Sequence, residues 1–158
     1  MAELSNLGKK AEAKIKEWLD RPEDGYCFQR IPDQQTGFFG SKNICDFFLY
    51  KKPNMYFIES KATWNDNFPF AMLTDFQYDG LLKESKIEGV TSYVAVLFAT
   101  YKRAFLIDIK DIQHCIDDLK VKSLNIKKIA KWPIPYKEIK TVPSRKQLLD
   151  YSREDNVL

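Results

Sequence analysis

A chain of 158 residues with 44% hydrophobic content is long enough to close one core without disulfide or metal staples, and it has no apolar run long enough to span a bilayer. The net charge of +3 is small for a nucleic-acid binder, yet it is unevenly spread: nine basic residues face a single acid, Glu138, between Lys120 and Lys146. With no signal-peptide pattern after Met1, one soluble, intracellular (cytoplasmic) domain over residues 1–158 is expected, and the three widely spaced cysteines, Cys27, Cys45 and Cys115, are expected to be reduced core thiols.

Ser5 is placed to cap a helix whose apolar residues Leu7, Ala11, Ile15 and Trp18 recur at spacings of 4, 4 and 3, with Lys9, Lys10, Lys14, Lys16 and Glu17 on the other side. Glu12 stands beside this stripe rather than opposite it, where it can pair with Lys16 at i,i+4. The runs Cys45 to Tyr50 and Met55 to Ala62 are rich in aromatic and aliphatic residues, and Lys51-Lys52-Pro53-Asn54 between them supplies turn chemistry. A hairpin centred between Lys52 and Pro53 pairs positions whose numbers sum to 105, which sets Asp46 opposite Glu59 with Cβ atoms about 5 Å apart. Facing carboxylates repel. They make sense together if a hard divalent cation bridges them, since oxygen ligands at about 2.0 to 2.1 Å are what Mg²⁺ takes. Lys61, two residues past Glu59, points to the same side about 7 Å along the strand. The plain alternative is an ordinary solvated strand face.

Farther on, Leu73 to Lys86 predicts a second helix with Leu73, Phe76, Asp79, Gly80 and Lys83 on one face and Gln77 on the next. Ser92 to Thr100 and Ala104 to Ile109 read as strands around a turn at Tyr101-Lys102-Arg103, followed by a short helix near Asp111 to Leu119 and a mainly polar tail. The order describes an α/β or α+β domain with a mixed sheet flanked by helices. His114 beside Cys115 lacks the further partners a zinc site needs and reads as a surface or boundary residue. The basic segment that opens at Lys120 is a candidate phosphate footprint, or a tail that only aids solubility.

Asp46 followed by Glu59-Ser60-Lys61 is similar to the PD-(D/E)XK nuclease signature, although Cys45 stands where the signature has proline. Together with Gly8 to Glu12, Glu59 to Thr63, Phe68-Pro69, Phe76-Gln77 and the rhythm of Trp132 to Tyr151, the chain resembles the RecU family of Holliday junction resolvases over roughly residues 5 to 151. The resemblance implies a restriction-endonuclease-like core and a Mg²⁺-dependent endodeoxyribonuclease, with Mn²⁺ able to substitute, acting on branched DNA as a homodimer. It implies Asp46, Glu59 and the Ser60 carbonyl as metal ligands, Lys61 and Gln77 as catalytic groups, and Glu12 reaching toward the metal from the first helix. Arg30, Lys42, Lys127, Lys128 and Lys131 are the expected DNA contacts. One departure bears on selectivity: the family carries a long stalk where this chain has only the 14 residues Ile31 to Ile44, which reach at most about 24 Å as two extended arms. The alternatives are a superfamily nuclease that cuts or nicks linear duplex DNA, and a non-catalytic recombination accessory protein.

Overall fold

The stripe Leu7, Ala11, Ile15 and Trp18 is buried as expected, in a helix α1 (Ala2–Leu19) that begins ahead of Ser5, the residue expected at its start. This is seen in a computed structural model that describes residues 2–32, 42–144, 148–153 and 158. After α1 come β1 (Tyr26–Arg30), β2 (Phe47–Lys51), β3 (Asn54–Thr63), β4 (Asn67–Pro69) and α2 (Asp75–Glu84). Next are β5 (Val90–Phe98), β6 (Arg103–Asp108), α3 (Ile109–Asp117) and β7 (Ser123–Asn125), then a 3₁₀ helix (Ile126–Lys131), β8 (Lys137–Ile139), β9 (Thr141–Val142) and β10 (Asp150–Tyr151).

Six strands form one sheet in the order β1-β2-β3-β5-β6-β8, parallel between β3 and β5 and antiparallel elsewhere. A parallel pair cannot be joined by a tight turn, and α2 lies in the crossover that makes this one. Alternation along each strand divides the apolar residues between two faces. On one face Phe47, Leu49, Ile58, Tyr93, Ala95, Leu97 and Leu106 pack against the α1 stripe. On the other, Val94, Val96, Phe98, Phe105 and Ile107 pack with Leu81 of α2 and with Ile112 and Cys115 of α3. Because β5 is covered on both sides, it reads as the unbroken apolar run Tyr93 to Phe98. This is the mixed α/β sheet with flanking helices that the sequence predicts.

The structure corrects three other expectations. The tail is not merely polar: β8 adds an edge strand to the sheet, Ile139, Leu149 and Tyr151 enter the α1 core, and Leu124, Ile126 and Ile134 enter the opposite one. Lys14 does not sit on the solvent side of α1. It is buried and donates to Glu17 and to Asp150 of β10, tying the tail to the helix. All three cysteines are free thiols, but Cys27 is exposed on β1, whereas Cys45 and Cys115 are buried. His114 is an exposed residue paired with Asp118. Among the described residues, no helix is long and apolar enough to cross a membrane. The stalk-equivalent interval lies largely outside the described residues, including Gly37 and Gly40.

Candidate active site

The β2–β3 hairpin has the expected register, from Lys51–Asn54 beside the turn to Phe47–Ile58 at the far end. It stops one residue short of the carboxylates. The Asp46 N–H donates to the Ile58 carbonyl at 3.2 Å, so Asp46 shares Ile58 with Phe47 instead of pairing with Glu59. This two-against-one offset is what a β-bulge produces. With the ladder ended, the Ser60 N–H is left to the Asp46 carboxylate, donating to Oδ2 at 2.8 Å. The Asp46 and Glu59 carboxyl groups still lie close enough for the Asp46 charge to raise Glu59.

Glu59 is 2% exposed. Its Oε1 accepts from Gln77 Nε2 at 2.7 Å and from Lys61 Nζ at 3.0 Å, while its buried Oε2 has no hydrogen-bond partner among the described residues. Burial, and next the Asp46 charge, push Glu59 up to about 8, with Lys61 pulling the other way. Asp46 is raised as well, chiefly by burial and against the pull of the Ser60 N–H, with Glu12 adding to the rise. An oxygen with no donor, beside a second carboxylate that repels it, is the donor set a hard divalent cation fits. Among the described residues no three His, Cys, Asp or Glu side chains form a group that could hold a metal ion, and the Ser60 carbonyl is a neutral oxygen beside the two carboxylates. Next to them the Cys45 thiol is pushed up to about 12 by burial and then by Glu59, and it donates to the Phe47 carbonyl, which makes it an inert packing group.

Gln77 reaches this pair from the first turn of α2. Thr74 is the N-cap: its Oγ1 accepts from the Gln77 N–H at 3.2 Å, and Gln77 Oε1 accepts from the Thr74 N–H at 3.1 Å. The same Oε1 accepts from Lys61 Nζ at 3.2 Å. The inward face of α2 is turned from the expected one, with Gln77 and Leu81 inside and Phe76 45% exposed. Gly80 explains how the helix comes so near: a Cβ there would lie 2.2 Å from Ile44 Cγ2 and 2.8 Å from Ile44 Cβ, two residues before Asp46. Gly80→Ala is therefore expected to cost about 1–3 kcal/mol of stability through overpacking and to slow any reaction that needs Gln77 over Glu59. Urea denaturation of the variant checks this, and an unchanged midpoint would show that Ile44 yields freely.

The other expected site residues are more scattered. Glu12 pairs with Arg30 across 2.8 Å; its charge reaches Asp46 and raises it, but among the described residues it does not complete a three-carboxylate group with Asp46 and Glu59. Lys42 is exposed. Lys127 is held by Asp66 at 2.9 Å, and Tyr101 bonds the same carboxylate. Lys128 and Lys131 line a cleft of about 390 Å³ with Asn67, Asn125 and Trp132, where β4 and β7 pair beyond the end of β3. Thr74 escaped the sequence reading, although Thr74-Asp75-Phe76-Gln77 carries the capping-box pattern.

Comparison with known proteins places this geometry in context. The model of the RecU family, recombination protein U, matches residues 27–153. Among solved structures the chain is similar to Hjc of Archaeoglobus fulgidus, described as a Holliday junction resolvase from an archaeal hyperthermophile, with 15% identity, a TM-score of 0.42 and coverage of 67% of this chain and 77% of that one. No curated protein matches the chain.

Proposed function

The chain belongs to the RecU family, and on that premise we propose that it is a Mg²⁺-dependent endodeoxyribonuclease that cuts branched DNA at four-way junctions as a homodimer. The observation that carries this reading is Glu59, a buried carboxylate facing Asp46 with one oxygen unpartnered. Lys61 offsets part of the cost of burying this pair, yet Glu59 stays raised beside Asp46, and a cation held by the two carboxylates would offset the rest.

When bound, the divalent ion, Mg²⁺ or Mn²⁺ in its place, polarises the scissile phosphate and lowers the pKa of an attacking water. Asp46 and Glu59 hold it, with the Ser60 carbonyl as a third oxygen. The Ser60 N–H fixes the Asp46 carboxylate. Lys61 keeps its ammonium beside Glu59 and Gln77, where it meets the negative charge that develops on the phosphate oxygens. Gln77 holds Glu59 and Lys61 at a fixed separation. Glu12 is paired with Arg30 and completes no three-carboxylate group with Asp46 and Glu59 among the described residues, and the reading assigns one ion to each chain. A two-fold dimer suits the substrate because two opposed strands have to be cut by two identical sites.

A calorimetric Mg²⁺ titration tests the reading: one ion per chain is expected for the wild type and none at the same concentrations for Glu59→Gln. Equal binding by both would place the ion elsewhere. The DNA path is expected to follow the cleft with Lys128 and Lys131. Neutralising both should weaken binding to every DNA shape and lower the salt slope of log K by about two. Lys127→Ala should matter less, because its charge is already shared with Asp66. Fluorescence anisotropy across a salt series checks this, and an unaltered slope in the double variant moves the phosphate path elsewhere.

A further inference from the structure

Glu59, Lys61 and Gln77 bond to one another, and the Gln77 side chain is also tied to a backbone group on α2 outside that trio. A glutamine amide has two ends of similar shape and opposite hydrogen-bonding sense. Here its Nε2 donates to Glu59 Oε1, and its Oε1 accepts from both Lys61 Nζ and the Thr74 N–H. Reversed, the amide would set its oxygen against the Glu59 carboxylate and its NH₂ against the Lys61 ammonium and the Thr74 N–H. On the nuclease reading, Glu59 and Lys61 are the groups that face the ion and the phosphate. The Thr74 N–H does not turn, because the reciprocal bond from the Gln77 N–H to Thr74 Oγ1 locks the cap.

We propose that Thr74 is a positioning residue that acts through Gln77: its capping box fixes which end of the Gln77 amide faces Glu59 and keeps it there while the ion and the DNA come and go. Thr74 is itself exposed and makes no bond to Glu59 or Lys61 among those described. The inference rests on the nuclease reading of the same centre.

The test compares Thr74→Val, which keeps the shape and loses the acceptor, with Thr74→Ser, which keeps the acceptor; Thr74→Ala replaces the valine variant if that one does not fold. Asp108→Ala is the control, since Asp108 caps α3 away from the site by accepting from the Lys110 N–H at 2.9 Å. Thr74→Val is expected to raise the half-saturating Mg²⁺ concentration about tenfold, in calorimetric titration and in cleavage alike, the scale of one hydrogen bond. Thr74→Ser should stay within about twofold of wild type, a smaller change than the loss of a cap bond would produce. Asp108→Ala should lower Tm comparably and leave the Mg²⁺ midpoint where it was, and Thr74→Val should add nothing in a Gln77→Ala background. A wild-type Mg²⁺ midpoint in Thr74→Val, or a full additional loss on top of Gln77→Ala, overturns the proposal. A wild-type chain that neither binds Mg²⁺ nor cuts DNA refutes the nuclease reading instead. The positioning role is then decided by the Gln77 side-chain amide resonances, which Thr74→Val should shift and whose invariance overturns it.

Discussion

Asp46→Asn and Glu59→Gln are each expected to lower the single-turnover rate of DNA cleavage in saturating Mg²⁺ by on the order of a thousandfold or more, about 4 kcal/mol of transition-state stabilisation. Both substitutions keep the side-chain volume and remove one of the two charges proposed to hold the ion. DNA binding measured in EDTA should be unchanged for Glu59→Gln, whose carboxyl already holds its proton below about 8 without metal, and unchanged or tighter for Asp46→Asn, which removes a carboxylate that repels phosphate. Separation of cutting from binding is the signature of a ligand as opposed to a fold defect. Near-wild-type cleavage by either variant would remove these carboxylates from the centre.

The second large effect is a coupling between protons, the metal and stability. Glu59 holds its proton up to about 8 in the folded chain, against 4.5 for an ordinary glutamate. In metal-free protein the stabilising effect of that proton is fully present below about 4.5 and is lost as pH rises toward 8, because the unfolded chain has already released the proton that the native one keeps. Unfolding free energy should fall across this window with a limiting slope of about 1.4 kcal/mol per pH unit. The raised Asp46 acts in the same direction. Mg²⁺ is expected to reverse the trend: binding at the proposed site would displace the Glu59 proton, so affinity should climb nearly tenfold per pH unit below about 8 and then level off. Glu59→Gln should abolish the Glu59 part of both effects. Urea denaturation in EDTA over a pH series, with calorimetry in two buffers of different ionisation enthalpy, measures both. A metal affinity that does not change between pH 6 and pH 8 would contradict a buried, proton-loaded Glu59.

Much of this centre was legible because hairpin arithmetic is local. The turn at Lys52-Pro53 fixes the register, and the register carries Glu59 and Lys61 to one side of β3. The arithmetic failed at Asp46, where the ladder steps off by one, a change in backbone hydrogen bonding that leaves no mark in residue type. The outcome survived because the Ser60 N–H takes up the displaced carboxylate. The α1 stripe was legible for the same local reason, its spacing matching the helical period. Lys14 was misread because periodicity gives the face of a helix but not the strand that later packs beside it. The tail was misread because β7 and β8 are three residues each, too short for alternation to register. The Arg30–Glu12 pair and the contact of Gly80 with Ile44 join elements far apart in the chain and have no local signature at all.

The most direct test of the central claim is single-turnover cleavage, in Mg²⁺, of a labelled four-way junction and of a linear duplex of the same arm sequence, side by side with Asp46→Asn. The account predicts paired nicks in opposed strands of the junction, little or no cutting of the duplex, and no cleavage by Asp46→Asn or after chelation of the metal. Equal cutting of junction and duplex would make the chain a duplex nuclease built on the same centre. No metal-dependent cutting of either DNA would contradict the account at its root.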